Sequence, residues 1–245
     1  MGDLGVHDSV GVSSSCRPVV ACVPSCLVVI PARDEAATIA RVVSETRAHT
    51  GLPVLVVNDA SSDETAREAA GAGAEVLNLA DRLGAWGAIQ TGLRFALRRG
   101  YTMVVTMDAD CQHAAGDILA VAGPVASGQC QVSIGSCPER GSKARKAAWS
   151  FFRTISGLPY ADLTSGFRAY GRKAIRLLLR AEATLSDFQD MGVLLLAHRH
   201  GLSIREVPVC MQARASGKSR IFASWFKVAQ YMLYTTVVSL TRRKA

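Results

Sequence analysis

The residues best placed to do chemistry stand at the end of an apolar run, in the stretch YTMVVTMDADCQH from Tyr101 to His113. Asp108, Asp110 and Gln112 occupy alternate positions there. Burying one isolated carboxylate is costly, so two of them side by side require either solvent or a compensating cation. Two carboxylates with a neighbouring amide are hard oxygen ligands suited to Mg2+ or Mn2+. The plainer reading is a strand that ends in solvent with acidic turn residues. What else the chain brings to the same place decides between the two.

The order of elements supplies that context. CLVVI, from Cys26, reads as a first strand, and EAATIARVVSETRAH places Ile39, Val42 and Val43 at helical spacing. PVLVVN is a second strand, SDETAREAAGAG a short helix opened by Ser62 or Asp63, and AEVLNL a third strand. AWGAIQTGLRFALRRG is a helix ending at Gly100, and Tyr101–Met107 is a fourth strand of β-branched and apolar residues. Strands alternating with helices of this length predict an α/β fold, a wound and mostly parallel sheet with helices on both faces. Ligands of such sheets bind beyond the carboxyl ends of the strands. PARDE (31–35), NDASSDE (58–64) and DADCQH (108–113) all fall there. Three polar loops thus converge on one edge, and the surface-turn reading of Asp108 and Asp110 recedes.

Whole-chain figures narrow the partner. A chain of 245 residues can bury a full core, and its net charge of +8 favours an anionic partner: nucleic acid, a phosphorylated small molecule or an acidic membrane surface. Aromatics make up only 6% and do not interleave with basic residues, so no nucleic-acid stacking platform is expected. The seven cysteines (Cys16, Cys22, Cys26, Cys111, Cys130, Cys137 and Cys210) contain no C-x-x-C pair and suggest neither a disulfide framework nor a zinc site. Reduced thiols in a cytoplasmic setting are the simplest reading. A nicotinamide enzyme would carry G-x-G-x-x-G directly after the first strand. Here that turn is PARDEA, without a glycine, and the glycine-spaced GAWGAIQTG follows the third strand instead.

At this point the chain resembles the family-2 glycosyltransferases of GT-A fold, and among them the dolichol- or polyprenyl-phosphate sugar synthases. The resemblance covers roughly residues 27 to 220 and rests on an ordered series: VVIPARDE, VVNDASSDET, LGAWGAIQTG, MDADCQH, DLTSGFRAY, FQD, REVPV and RASGKSR. It implies a nucleotide site built by Pro31, Ala32, Glu35, Asp59 and Asp108, with Asp59 facing the base or ribose of a GDP- or UDP-sugar donor. It implies further that Asp108, Asp110 and Gln112 hold Mg2+ or Mn2+ against the donor diphosphate. A divalent cation there neutralises charge developing on the leaving nucleoside diphosphate.

The second half of the chain would then serve the acceptor. The resemblance puts Arg140, Arg153 and Arg168 in segments that hold an acceptor phosphate, and Arg214, Lys218 and Arg220 in a basic loop suited to the donor diphosphate or the acceptor phosphate. Each arginine taken singly also reads as a solvated surface charge. Asp110, Asp190, Arg140 and Arg168 are the residues it brings closest to the chemistry. A polyprenyl phosphate is already a nucleophile at neutral pH and would attack the anomeric carbon in line, with inversion. A soluble hydroxyl or amine acceptor, the alternative, needs a carboxylate base, and Asp190 in SDFQD is the candidate. Asp190 reads equally as a carboxylate favourable to a helix N-terminus. A non-catalytic nucleotide-binding protein is the remaining alternative. Asp162, before LTSGFR, has a structural role in prospect, holding that loop. Several positions depart from the family pattern: Asp34 replaces an asparagine, Cys111 a glycine and Arg82 an asparagine, Trp86 stands in a loop that is usually small or basic, and SCPERG is longer than expected.

The expected organisation is a loose arm over 1–25, one catalytic domain over 26–220 and an amphipathic helix within 221–245. The domain divides into a nucleotide-binding half (26–112) and an acceptor half (113–220). In IFASWFKVAQYMLYTTVVSL, Trp225, Tyr231 and Tyr234 with basic flanks fit an interfacial helix on an anionic leaflet. A helix packed on the sheet or at a dimer contact is the competing reading. The expectation is a cytoplasmic enzyme, peripheral at the membrane face where it meets its acceptor.

Overall fold

The computed structural model describes residues 25–140, 150, 153–154, 157–184 and 191–212. The N-terminal arm, Asp190, the basic residues Arg214, Lys218 and Arg220, and the C-terminal helix expected within 221–245 lie outside the described residues, as does the side chain of Arg140.

Seven strands, β1 (Cys26–Ala32), β2 (Val54–Asn58), β3 (Glu75–Asn78), β4 (Met103–Thr106), β5 (Val132–Ser136), β6 (Arg168–Gly171) and β7 (Ile204–Pro208), form one sheet in the order β3-β2-β1-β4-β6-β5-β7. Every pairing is parallel except those of β6, which runs against both β4 and β5. The interior strands β1, β2, β4 and β5 are almost wholly buried, as a sheet covered on both faces requires. Successive side chains of β1 go to opposite faces. Val28 and Ile30 pack with Ile39, Val42 and Val43 of α1 (Ile39–Thr50), Ala69 of α2 (Thr65–Gly71) and Val121 of α4 (Ile118–Ala126). Leu27 and Val29 pack with Ile89 and Leu93 of α3 (Gly84–Arg98), Ile175 of α5 (Arg172–Leu178), Ala183 of α6 (Ala181–Thr184) and Leu196 of α7 (Met191–Arg199).

The antiparallel strand β6 has a positional consequence. Its first residue, Arg168, pairs with Thr106 at the carboxyl end of β4, and its last, Gly171, pairs with Met103 at the amino end. The loop that enters β6 therefore opens on the same edge as the exits of β1, β2, β4, β5 and β7. Pro31, which cannot donate to a ladder, lies beyond Val29, the last β1 residue registered with β4.

Two local expectations shift. The second helix begins at Thr65, not directly after Ser62 or Asp63, because the Asp63 carboxylate accepts the Thr65 N–H at 3.0 Å and the Thr65 hydroxyl, fixing a turn ahead of the first helical residue. Strand β4 is shorter than 101–107 and stops at Thr106, because the chain turns there to bond Asp108 N–H to His113.

Gly92 marks the closest approach of α3 to the sheet. A Cβ at this position would lie 2.4 Å from Cγ1 of Val29, which is fully buried. Overpacking of this kind costs about 1–3 kcal/mol. Gly92→Ala is expected to lower the urea midpoint accordingly with an unchanged m value, and an unchanged midpoint would show that the helix can move away without penalty.

Candidate active site

The loops after β1 and β2 are latched to one another. Asp34 N–H donates to Ser61 Oγ at 3.0 Å, Ser62 N–H to Asp34 Oδ1 at 2.8 Å, Glu35 N–H to Thr65 Oγ1 at 2.8 Å and Ala36 N–H to Asp63 Oδ2 at 3.1 Å. Partial burial alone would raise the Asp63 carboxyl, but the hydrogen bonds from the Thr65 hydroxyl and from Ala36 and Thr65 N–H outweigh it and hold it below its usual value. Asp34 has φ 51° and Cys111 φ 61°, both in the left-handed region. Asparagine and glycine, which the resemblance leads one to expect there, are the residues that adopt it at least cost.

Asp59 is buried, and its amide donates to Ala32 O at 2.9 Å. Both carboxylate oxygens are engaged by the start of α3: Leu83 N–H reaches Oδ1 at 2.6 Å and Gly84 N–H reaches Oδ2 at 3.0 Å. A helix leaves its first N–H groups without internal partners and carries partial positive charge there, so a buried carboxylate is the complementary group. Pro31 and Glu35 are half-buried on the neighbouring loop, and Ala32 is buried beside Asp59. The Thr38 hydroxyl donates to Glu35 Oε2 at 3.2 Å.

The β4 exit brings the two aspartates into different surroundings. The Asp108 side chain is 39% exposed, whereas Asp110 is buried, with Oδ1 accepting Gln112 N–H at 3.0 Å. His113, absent from the sequence-based site, organises this turn. Its Nδ1 accepts Asp108 N–H at 3.1 Å, its Nε2 lies 3.9 Å from Asp108 Oδ2, and its ring stacks on Phe167 at 4.9 Å. A ring nitrogen that accepts carries no proton, so in the neutral ring the proton sits on Nε2, toward the Asp108 carboxylate. The only signal for His113 in the sequence was its place next to Gln112.

No group of three or more His, Cys, Asp or Glu side chains among the described residues could enclose a metal ion. Asp108, Asp110 and Gln112 nevertheless fit a hard divalent cation as an open, oxygen-only set whose remaining positions a diphosphate can fill, the arrangement Mg2+ prefers. The buried Asp110 is oriented by its own turn and the half-exposed Asp108 faces the edge.

The second half of the chain closes on the same turn. Gln212 N–H donates to Gln112 O at 2.9 Å, and Met211 bridges to His113 in antiparallel fashion. The loop entering β6 is held by two carboxylates. Glu206 of β7 accepts Ala161 N–H and Asp162 N–H at 3.0 Å, and the fully buried Asp162 accepts Thr164 N–H at 3.1 Å and Cys137 N–H at 3.4 Å. The structural role expected of Asp162 is what the geometry gives it. Glu206 was missed because its partners lie more than forty residues away in the chain.

Arg168 departs from its expected setting. Its side chain is fully buried and Nη2 donates to Leu163 O at 3.1 Å, within the loop it follows. In this structure it shapes that loop from inside and is not presented to a solvent-borne phosphate. Arg140 ends the short turn Pro138–Arg140 after β5, on the same sheet edge as the acidic loops. Arg153 is exposed, and no hydrogen bond or ion pair among the described residues joins its side chain to the aspartates.

Comparison with known proteins agrees with this geometry. The model of the family described as Glycosyl transferase family 2 matches residues 27–179. Polyprenol monophosphomannose synthase of Mycolicibacterium smegmatis is 30% identical over 235 aligned residues, covering 84% of this chain and 86% of that protein. Undecaprenyl-phosphate mannosyltransferase of Micrococcus luteus is 30% identical over 182, covering 69% and 75%. Glucosyl-3-phosphoglycerate synthase from Mycobacterium tuberculosis, solved with Mn2+, uridine diphosphate and phosphoglyceric acid, superposes with a TM-score of 0.68 at 20% identity, over 89% of this chain and 78% of that one. The last similarity carries the GT-A fold. A family match over most of the chain, with the acidic loops assembled on one sheet edge, leads to one conclusion: the chain belongs to glycosyl transferase family 2 and is a glycosyltransferase.

Proposed function

We propose that the protein transfers a sugar, with inversion, from a nucleotide-sugar to a polyprenyl phosphate, using Mg2+ or Mn2+ held by Asp108, Asp110 and Gln112. The observation that carries the reading is the closure of the acceptor half onto the metal-binding turn, through Gln212 N–H to Gln112 O. In the sequence Arg214 follows Gln212 by two residues, with Lys218 and Arg220 behind it, a run of cations suited to a diphosphate. The names of the two relatives support the acceptor class, since both act on polyprenyl-type phosphates.

In this reading the latched loops after β1 and β2, with Pro31, Ala32, Glu35 and Asp59, form the wall that receives the nucleoside. When bound, the cation supplies neutralising charge for the departing diphosphate. Arg140, Arg153 and the Arg214–Arg220 loop gather the acceptor phosphate, and Arg168 keeps the 162–167 loop in shape beneath it. A phosphate monoester brings its own nucleophilic oxygen, so no side chain has to remove a proton. The protein works at the membrane surface where that lipid resides. Among the described residues no helix is long and apolar enough to cross a membrane.

The test is turnover of a panel of GDP- and UDP-sugars with Mg2+ or Mn2+, with and without a short polyprenyl phosphate, both products being read by mass spectrometry. A glycosylated lipid phosphate is expected. Asp190→Asn should reduce that transfer less than threefold, whereas a hydroxyl acceptor served by Asp190 would lose on the order of 10² or more. Product formed on a soluble acceptor and none on lipid would overturn the proposal.

His113→Ala is expected to raise the metal concentration needed for half-maximal transfer about 10- to 100-fold, as loss of a group that orients a metal ligand does. A lowered rate at unchanged metal dependence would show that His113 acts on the fold alone.

A further inference from the structure

The sheet edge opposite the active site carries a cluster of cations that the transfer reaction leaves unused. Helix α5 starts directly after Gly171, which pairs with Met103 at the amino end of β4. Arg172, Lys173 and Arg176 of α5, with Arg180 just beyond it, line an open groove of about 460 Å³ together with His200. That groove lies next to the start of β7, where Ile204 pairs with Val132 at the amino end of β5. It is therefore about one strand length, roughly 15 Å, from the catalytic edge.

The cations here are not serving the fold. Elsewhere the exposed arginines Arg41, Arg67 and Arg99 pair with Glu45, Glu64 and Glu75. Arg172, Lys173, Arg176 and Arg180 are all exposed, and none of them forms an ion pair with another described residue. Like charges four apart on a helix, as in Arg172 and Arg176, destabilise it. The basic C-terminal stretch from 213 to 245 contains no Asp or Glu and adds no counter-charge.

The chemistry of the groove selects among anionic partners. Its floor is Leu177 and Leu202, and none of its lining residues is Phe, Tyr or Trp. Single-stranded nucleic acid is held by stacking on aromatic rings, which this surface lacks. A bilayer bound here would leave the catalytic edge facing away from the lipid phosphate, a step that rests on the proposed acceptor. Arg172 and Arg176, one helical turn or about 6 Å apart, match acidic side chains at i and i+4 of a helix, and a leucine-lined floor matches an apolar anchor between them.

We infer that this groove is a docking surface for an acidic, leucine-bearing segment of a partner protein. The partner binds on the edge opposite the active site, so docking and sugar transfer proceed together. Because charge complementarity dominates, the association weakens with salt and its rim charges act mainly on the association rate.

Fluorescence anisotropy of a labelled peptide of Glu-Glu-Leu repeats, titrated with the full chain, tests this. Binding is expected to weaken at least tenfold in Arg172→Glu/Arg176→Glu. It should be unchanged in Arg94→Glu/Arg98→Glu, which reverses two exposed arginines at the same spacing on α3 outside the groove. Circular dichroism reports whether each variant is folded, and Arg172→Gln/Arg176→Gln, expected to weaken binding severalfold, serves if charge reversal prevents folding. Equal weakening in both pairs, or no binding at all, would overturn the proposal. So would phosphatidylglycerol vesicles or polyuridylate binding through Arg172 and Arg176 more tightly than the peptide. Donor turnover in the Arg172→Glu/Arg176→Glu variant should equal that of the parent chain, so failure of docking leaves the transferase reading intact.

Discussion

Asp110→Ala is expected to lower sugar transfer by on the order of 10³-fold while the protein remains folded. Asp110 is buried and oriented by its own turn, with Oδ1 accepting the Gln112 N–H. The adjacent Asp108 is half-exposed and can be replaced in part by water. In the proposed site, removing Asp110 therefore takes away the better-fixed oxygen, and the charge building on the leaving diphosphate would lose its counter-charge. Removing a buried carboxylate also removes a desolvation penalty, so stability should change little or rise. The measurement is the rate of transfer as a function of Mg2+ and Mn2+, together with thermal unfolding. A variant that keeps the parent rate and parent metal dependence would place the metal elsewhere.

Asp59→Ala is expected to separate folding from donor binding. Two charge-assisted bonds, from Leu83 and Gly84 N–H, end on this buried carboxylate. Losing them leaves the first N–H groups of α3 without an acceptor and costs about 3 kcal/mol. For a domain of this size that lowers the melting temperature by roughly 6–12 °C. If Asp59 also touches the nucleoside, the KM for the donor rises at a temperature where both proteins are fully folded. If the melting temperature falls and the donor KM does not move, Asp59 serves only the helix. An unchanged melting temperature would mean that water satisfies the helix start equally well.

Much of this was legible in the chain. Unbroken apolar runs such as CLVVI and VLVVN specify strands buried on both faces, and polar residues at their carboxyl ends announce where a wound sheet opens. Asp108, Asp110 and Gln112 could be picked out because their hard oxygens crowd one loop end. The same local logic placed α1 and α3 within a few residues of their ends. It failed at Asp63, where a side-chain bond two residues ahead of the helix sets the start, and at β4, where the turn to His113 cuts the strand short.

The second half was legible only as motifs. Nothing local in FRAYG says that β6 runs antiparallel between β4 and β5, yet that reversal is what swings the 157–167 loop onto the catalytic edge. It also turns Arg168 inward, where its guanidinium bonds to Leu163 O and shapes a loop it was expected to reach across. Asp59 capping a helix 24 residues away, Glu206 fastening Ala161 from 45 residues away and His113 stacked on Phe167 are of the same kind. The sequence by itself determined the elements of the first half, the open sheet edge and the acidic residues that gather on it, because hydrophobic periodicity and carboxylate chemistry are local properties. Only the tertiary structure decided which polar groups spend their charge holding the fold and which are left to meet substrate, because that depends on partners brought together across the chain.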